Sequence, residues 1–162
     1  MLAGALLAGC AGPGYYAQAV GGHLALLAER EEVSELLAAE ATPPGLRADL
    51  ELSLELRRFA AERLALPDDG SYRHYVSTGR DAVTWNVVAA PELSLEPRRW
   101  CFLVAGCLPY RGYFQKADAE RFAGKLAAAG LDVSLSPAVA YSTLGWFDDP
   151  LLDTMFRHGE LR

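Results

Sequence analysis

Pro67-Asp68-Asp69-Gly70 divides this chain into two kinds of sequence. Before it, apolar residues recur at helical spacing. After it, β-branched and aromatic residues alternate with polar ones. A chain that changes period in this way can be neither one helical bundle nor one sheet, so the expected class is α+β. In the first part Tyr16, Val20, Leu24 and Leu27, continued by Val33, Leu36 and Leu37, predict a helix over 15–38. Gly21-Gly22 weakens that helix and suits a close helix–helix contact. Thr42-Pro43-Pro44 predicts the next helix start, with Thr42 as cap and proline in the first turn. Leu52, Leu56 and Phe59 line one side of that helix, over about 45–65. The short loop between the two predicts an antiparallel helical hairpin.

In the second part, 72–76 and 83–89 read as strands, the latter with Val83, Trp85 and Val87 alternating with Thr84, Asn86 and Val88. Pro91 and Pro97 bound a loop, 100–105 reads as a buried strand and 110–114 as a short one. Residues 117–129 predict a helix with Phe122, Leu126 and Ala129 inward and Gly130 at its end. Val133, Leu135, Val139 and Tyr141 predict strand or edge segments around Pro137, so strand, helix and strand form a crossover. Asp148-Asp149-Pro150 predicts a last helix running to about Arg157. The expected architecture is a helical hairpin followed by a small mixed α/β unit.

Charge and hydropathy exclude some functions. The chain has 162 residues and a net charge of −6, and Arg57-Arg58 and Arg98-Arg99 are isolated pairs rather than a basic patch. Nucleic acid is therefore not an expected partner. No apolar run approaches the roughly 20 residues of a spanning helix. Membrane attachment is instead written in Leu7-Ala8-Gly9-Cys10, which matches the bacterial lipobox, where the peptide is cut before a cysteine whose thiol takes the lipid. Residues 1–9 then read as a partial lipoprotein signal peptide and 10–162 as the N-terminal part of a single exported domain. The apolar stretch is at the short end of the roughly 7–15 residues usual for such leaders. No Lys or Arg precedes Arg30, so a truncated or late start is expected. A disordered Ala/Gly-rich tail is the competing reading. Lipidation at Cys10 implies export and a membrane-anchored protein facing the periplasm, since a bacterial lipoprotein cysteine carries several acyl chains and one chain alone binds weakly.

Cys101 and Cys107 remain as an even pair. In an oxidising compartment a disulfide is favoured. Six residues of extended strand span roughly 20 Å, whereas a bridge needs Cα atoms within about 7 Å. It closes only if the chain turns at Ala105-Gly106; otherwise the two are buried thiols on one strand face.

The remaining chemistry is sparse. His23, His74 and His158 show no ligand spacing, and no HExxH helix, nucleophile elbow or phosphate-cradling glycine loop is present. Each histidine reads as structural or surface. Three clusters mix aromatic bodies with polar tips, at 70–75, 110–114 and 140–150, and suit either a binding cleft or a wet core edge.

Six segments together carry more than any one of them. They are Tyr15-Tyr16-Ala17-Gln18-Ala19, Leu66-Pro67-Asp68-Asp69-Gly70-Ser71-Tyr72, Trp85-Asn86-Val87-Val88-Ala89-Ala90-Pro91-Glu92, Trp100-Cys101-Phe102, Gly106-Cys107-Leu108-Pro109-Tyr110-Arg111-Gly112-Tyr113-Phe114 and Tyr141-Ser142-Thr143-Leu144-Gly145-Trp146-Phe147-Asp148-Asp149-Pro150. In this order the chain resembles a family of predicted bacterial zinc aminopeptidases, many of them lipoproteins, from about Tyr15 to Asp153. Leu103 stands where that pattern usually has proline. The resemblance implies an incomplete zincin-like metallopeptidase domain, a zinc cofactor for the full-length family and a peptide substrate. It also implies that the His-Glu-Leu-Ala-His segment would follow the Asp-Asp-Pro helix. The chain contains no such segment, so no catalytic residue or zinc ligand is expected within it. An N-terminal fragment, inactive as it stands, is the leading expectation. By analogy with other zinc peptidases, a strand at 139–143 would pair with extended substrate, placing Tyr141, Ser142 and Thr143 near the cleft. Tyr110 and Arg111 are weaker candidates, Arg111 for a carboxylate or for a structural ion pair. The alternative is a non-enzymatic lipoprotein that acts as a binding or scaffolding module.

Overall fold

The computed structural model describes residues 12–102 and 105–157. Cys10 and His158 lie outside them. The fold is α+β, and its described residues divide into two units. The first combines 12–24 with Ala82–Ala138, and the second combines 25–81 with 139–157.

The first unit is built on one sheet with strand order β6-β3-β7, from β3 (Thr84–Pro91), β6 (Arg111–Tyr113) and β7 (Leu131–Ala138). β3 pairs antiparallel with both neighbours, so β6 and β7 run parallel to each other on either side of it. Helix α4 (Lys116–Ala128) makes the crossover between them that the sequence predicts. Gly130, at φ +80°, ends it in a backbone conformation that suits glycine. The alternation of β3 and β7 has its expected result. Val87 and Ala89 are buried, Leu131, Val133 and Leu135 pack against the same core, and Asp132, Ser134 and Ser136 face outward. Pro137 fits within β7 because β7 is an edge strand, where a missing N–H breaks no ladder.

Beside this sheet stands a two-stranded ribbon, β4 (Trp100–Phe102) and β5 (Gly106–Leu108). The single buried strand expected over 100–105 is therefore half of a hairpin. Trp100 enters the core and Cys101 is exposed. The Arg98 N–H donates to the Ala89 carbonyl (2.7 Å), tying the approach to β4 onto β3.

Helix α1 covers only Pro13–Ala28 of the long helix expected over 15–38. The charged run Glu29-Arg30-Glu31-Glu32 interrupts the apolar stripe, and Glu31–Glu32 instead form strand β1, antiparallel to β2 (His74–Val76). The helix then resumes as α2 (Val33–Ala38). Gly22 does make a close approach, though not to another helix: a Cβ there would overlap the Phe114 ring that follows β6.

In the second unit the helical hairpin is α2 with α3 (Pro44–Leu64). Pro44 occupies the first turn, as expected, but Thr42 is not the cap. Pro43 holds the N-cap position, and the Thr42 hydroxyl donates to the Leu36 carbonyl (2.5 Å). Arg47 donates to the carbonyls of Leu37 and Ala39. Together they satisfy carbonyls at the C-terminal end of α2 that have no partner within so short a helix. The last segment differs most from expectation. Leu151–Leu152 form strand β8, parallel to β2, and only then does α5 (Asp153–Arg157) begin. Leu151 and Leu152 are 3% and 1% exposed. Phe156 stacks on Tyr75, with centroids 6.1 Å apart.

Candidate functional site

The first unit places Arg111 at the start of β6, where the strand packs against α1 and α4. Its guanidinium carbon lies 4.1 Å from the Tyr15 ring centroid, 4.6 Å from that of Phe122 and 5.5 Å from that of Tyr113. Tyr15 and Tyr113 meet edge to face at 5.6 Å, and Tyr113 and Phe122 are also 5.6 Å apart. These rings face one open pocket of about 490 Å³, which Arg121, Lys125, Asp118 and Gln18 also line. Gln18 fixes the wall, accepting a hydrogen bond from the Phe114 N–H (3.2 Å) and donating to the Gly112 carbonyl (3.4 Å). Burial pushes the Tyr113 phenol up to about 12, although the Arg111 charge opposes the shift. The same two causes act on Tyr15, with burial prevailing. The sequence named Arg111 as a candidate, but showed Phe122 only as an inward residue of its helix and Tyr15 only within a resembling segment, with nothing to bring either to Arg111.

Tyr110 sits beside Arg111 in the chain but does not line this pocket and is 38% exposed. Cys101 and Cys107 lie directly opposite each other in the β4–β5 register and are joined by a disulfide, with Cα atoms 3.9 Å apart. Both are exposed, so they are not the buried thiols of the competing reading. Gly106, at φ +69°, opens β5 immediately before Cys107.

In the second unit, Tyr141, Ser142 and Thr143 lie in a loop rather than in the expected strand. Their hydrogen bonds are turned inward. The Thr143 N–H donates to Asp149 Oδ1 (3.0 Å) and its hydroxyl donates to the same oxygen (2.7 Å). The Phe147 N–H donates back to the Thr143 hydroxyl (3.2 Å), and the Leu144 N–H donates to the Ser142 hydroxyl (3.1 Å). The Thr143 amide is thereby spent on its own loop and does not offer an edge to an extended peptide. Asp149, 8% exposed, is the centre of this loop. Its backbone carbonyl accepts from the Tyr72 N–H (2.7 Å) and its N–H donates to the Ser71 hydroxyl (3.3 Å). Burial, reinforced by the Asp149 charge, pushes the Tyr141 phenol up to about 12. Gly70 approaches the exposed Asp148 carboxylate closely enough that a Cβ there would have to displace it. Two of the three aromatic–polar clusters, 70–75 and 140–150, thus meet in this unit. The pair Asp148-Asp149 does not start a helix; its second member organises a loop.

A family model described as "Putative aminopeptidase" matches residues 14–162. The chain belongs to this aminopeptidase family. Searches of curated proteins and of solved structures returned no match.

Zinc, the cofactor implied for such an aminopeptidase, needs three or four nitrogen, sulfur or oxygen ligands converging on one point. Among the described residues no three His, Cys, Asp or Glu side chains gather in that way. Cys101 and Cys107 are consumed by their bridge. Asp149 is engaged by Thr143, and Asp153 by Thr78 and Gly79. His23 lies on α1 in the first unit and His74 on β2 in the second. The donor set of the described residues does not fit zinc. Among the described residues no helix is long and apolar enough to cross a membrane.

Proposed function

We propose that this chain works on peptides as part of a bacterial zinc aminopeptidase of zincin-like type, held at a membrane facing the periplasm by lipid on Cys10. By itself it supplies framework and peptide-side groups and does not carry out hydrolysis. The observation that carries this reading is the family match over 14–162. Supporting it, the lipobox Leu7-Ala8-Gly9-Cys10 precedes the matched region, and the exposed Cys101–Cys107 bridge suits an oxidising compartment. Metal-assisted hydrolysis needs a Lewis acid and a general base beside it. Among the described residues neither arrangement is found, and no hydrolytic role is assigned to any of them. Tyr141, Ser142 and Thr143 remain candidates for the peptide side of the site through side chains and loop shape rather than through backbone pairing.

The lack of a zinc-fitting donor set equally favours the second reading, a non-enzymatic lipoprotein that binds a ligand. An assay for release of the N-terminal residue from leucinamide and short peptides, with zinc added, tests the first reading. The 162-residue protein is expected to give no chelator-sensitive release; turnover that EDTA abolishes would overturn the assignment. For the anchor, wild type is expected to incorporate labelled palmitate and Cys10→Ala to lose the label. Equal labelling of the two would remove the anchor from the account.

A further inference from the structure

Arg111 is held in a way that its own fold does not explain. Its guanidinium lies over the Tyr15 and Phe122 rings, its Nε is buried, and that N–H has no hydrogen-bond partner among the described residues. A buried donor left unsatisfied is destabilising. The structural ion pair that would relieve it does not form: Asp118, the acid of this pocket, bonds Arg121 at 2.6 Å instead. Among the described residues Lys125 also forms no ion pair. The pocket therefore holds Arg111, Arg121 and Lys125 against Asp118, an excess of positive charge in a chain whose net charge is −6. Its walls are Tyr15, Tyr113 and Phe122, and its volume of about 490 Å³ suits a ligand of one or two residues in size.

We propose that this pocket binds the carboxylate of a small organic acid bearing an apolar group, either a free acylated amino acid or the C-terminus of a short peptide. Arg111 is the anchor. A guanidinium packed over aromatic rings still presents the N–H groups of its edge, and that edge matches the two oxygens of a carboxylate. The rings pack against the apolar group beside it. Arg121 and Lys125, on α4 at the rim, add charge without fixing geometry. This site stands whether or not the protein belongs to a working peptidase, because it rests on Arg111 and its surroundings alone.

Calorimetric titration of the 162-residue protein tests it with four probes: N-acetyl-phenylalanine, N-acetyl-alanyl-phenylalanine, N-acetylphenylalaninamide and inorganic phosphate. At least one acid is expected to bind, and the amide to bind about tenfold more weakly or not at all. Binding of the single residue points to a free acid, and binding of the dipeptide alone points to a peptide C-terminus. Arg111→Lys keeps the charge but loses the fork, and is expected to weaken the acid by about tenfold. Should that variant fail to fold, the rim variant Lys125→Ala, on an exposed position, is expected to weaken it by about threefold with an unchanged circular dichroism spectrum. The proposal is overturned if no acid binds, if amide and acid bind alike, if phosphate displaces the acid, or if both variants bind as wild type does.

Discussion

The two units solve the same problem by different means. The first has a ladder of eight paired residues between β3 and β7, and one helix covers that sheet with apolar and aromatic side chains. The second has a three-stranded sheet too, but each of its pairings joins only two residues. A ladder that short contributes few backbone bonds. Buried carboxylates stand in for it. Asp153, 5% exposed, accepts from the Thr78 N–H (3.0 Å), the Thr78 hydroxyl (2.6 Å) and the Gly79 N–H (3.0 Å). Asp149 does the same for Thr143. The Thr154 hydroxyl, fully buried, donates to the Val139 carbonyl. Where regular structure is long, the backbone satisfies itself and side chains need only be apolar. Where it is short, particular acids and hydroxyls must close the turns, and the fold depends on them one by one.

That contrast breaks most easily at Asp153. Asp153→Ala removes a buried charged acceptor and takes the partner from the part-buried Thr78 N–H, Thr78 hydroxyl and Gly79 N–H together, and is expected to cost about 3 kcal/mol in urea denaturation. Asp153→Asn, which keeps one acceptor oxygen, is expected to cost less. A loss below about 1 kcal/mol for the alanine variant would show that the second unit does not lean on its carboxylates.

The first unit has one covalent device, and its removal is the next largest expected effect. The double variant Cys101→Ala/Cys107→Ala is expected to lose about 2 kcal/mol, since the bridge closes a short loop. Reduction of the wild type is expected to give a similar loss. Because both sulfurs are exposed, the alanines leave no large cavity. No change on reduction would mean that the β4–β5 ribbon is held by Trp100 and its neighbours alone.

The smallest effect concerns pH and sharpens the comparison, because each unit holds a raised tyrosine for a different reason. Burial raises Tyr113 to about 12 despite the cation beside it, whereas burial and an anion raise Tyr141 to about 12 together. In both cases the folded protein keeps its proton above the ordinary value of 10. Their contribution to stability is present in full below pH 10 and is lost as pH rises toward about 12, because the unfolded chain ionises first. Phenolate absorbance across this range, compared with Tyr113→Phe and Tyr141→Phe, is expected to assign the two late titrations. Asp149→Asn is expected to lower the Tyr141 value and leave Tyr113 where it is. A common titration of all tyrosines at the ordinary value would contradict the assignment.

The regular parts of this molecule were legible from periodicity. β3, α4 and β7 each carry a pattern long enough to fix both type and buried face, whereas α3 was legible in type only: Leu56 and Phe59 of its expected inner side are exposed, and Leu50 and Ser53 are buried instead. Residues 29–32 and 151–152 were not, because a two-residue strand has no period of its own and exists only through a partner far along the chain. Thr42 misled for a related reason. Its position beside two prolines suits a cap, yet its hydroxyl donates to the Leu36 carbonyl of α2 and caps no N–H of α3. The candidate site divides in the same way. Cys101, Cys107 and Arg111 were visible as residue types, and Tyr141 and Thr143 as part of a polar–aromatic cluster. The rings around Arg111 and the acid that gathers Thr143 could be found only once tertiary contacts were known.

The most direct test of the functional account is the zinc content of the purified 162-residue protein, measured by elemental mass spectrometry after dialysis against zinc. The account predicts that no stoichiometric metal is retained, because the donor groups do not converge. One tightly held zinc per chain would contradict it.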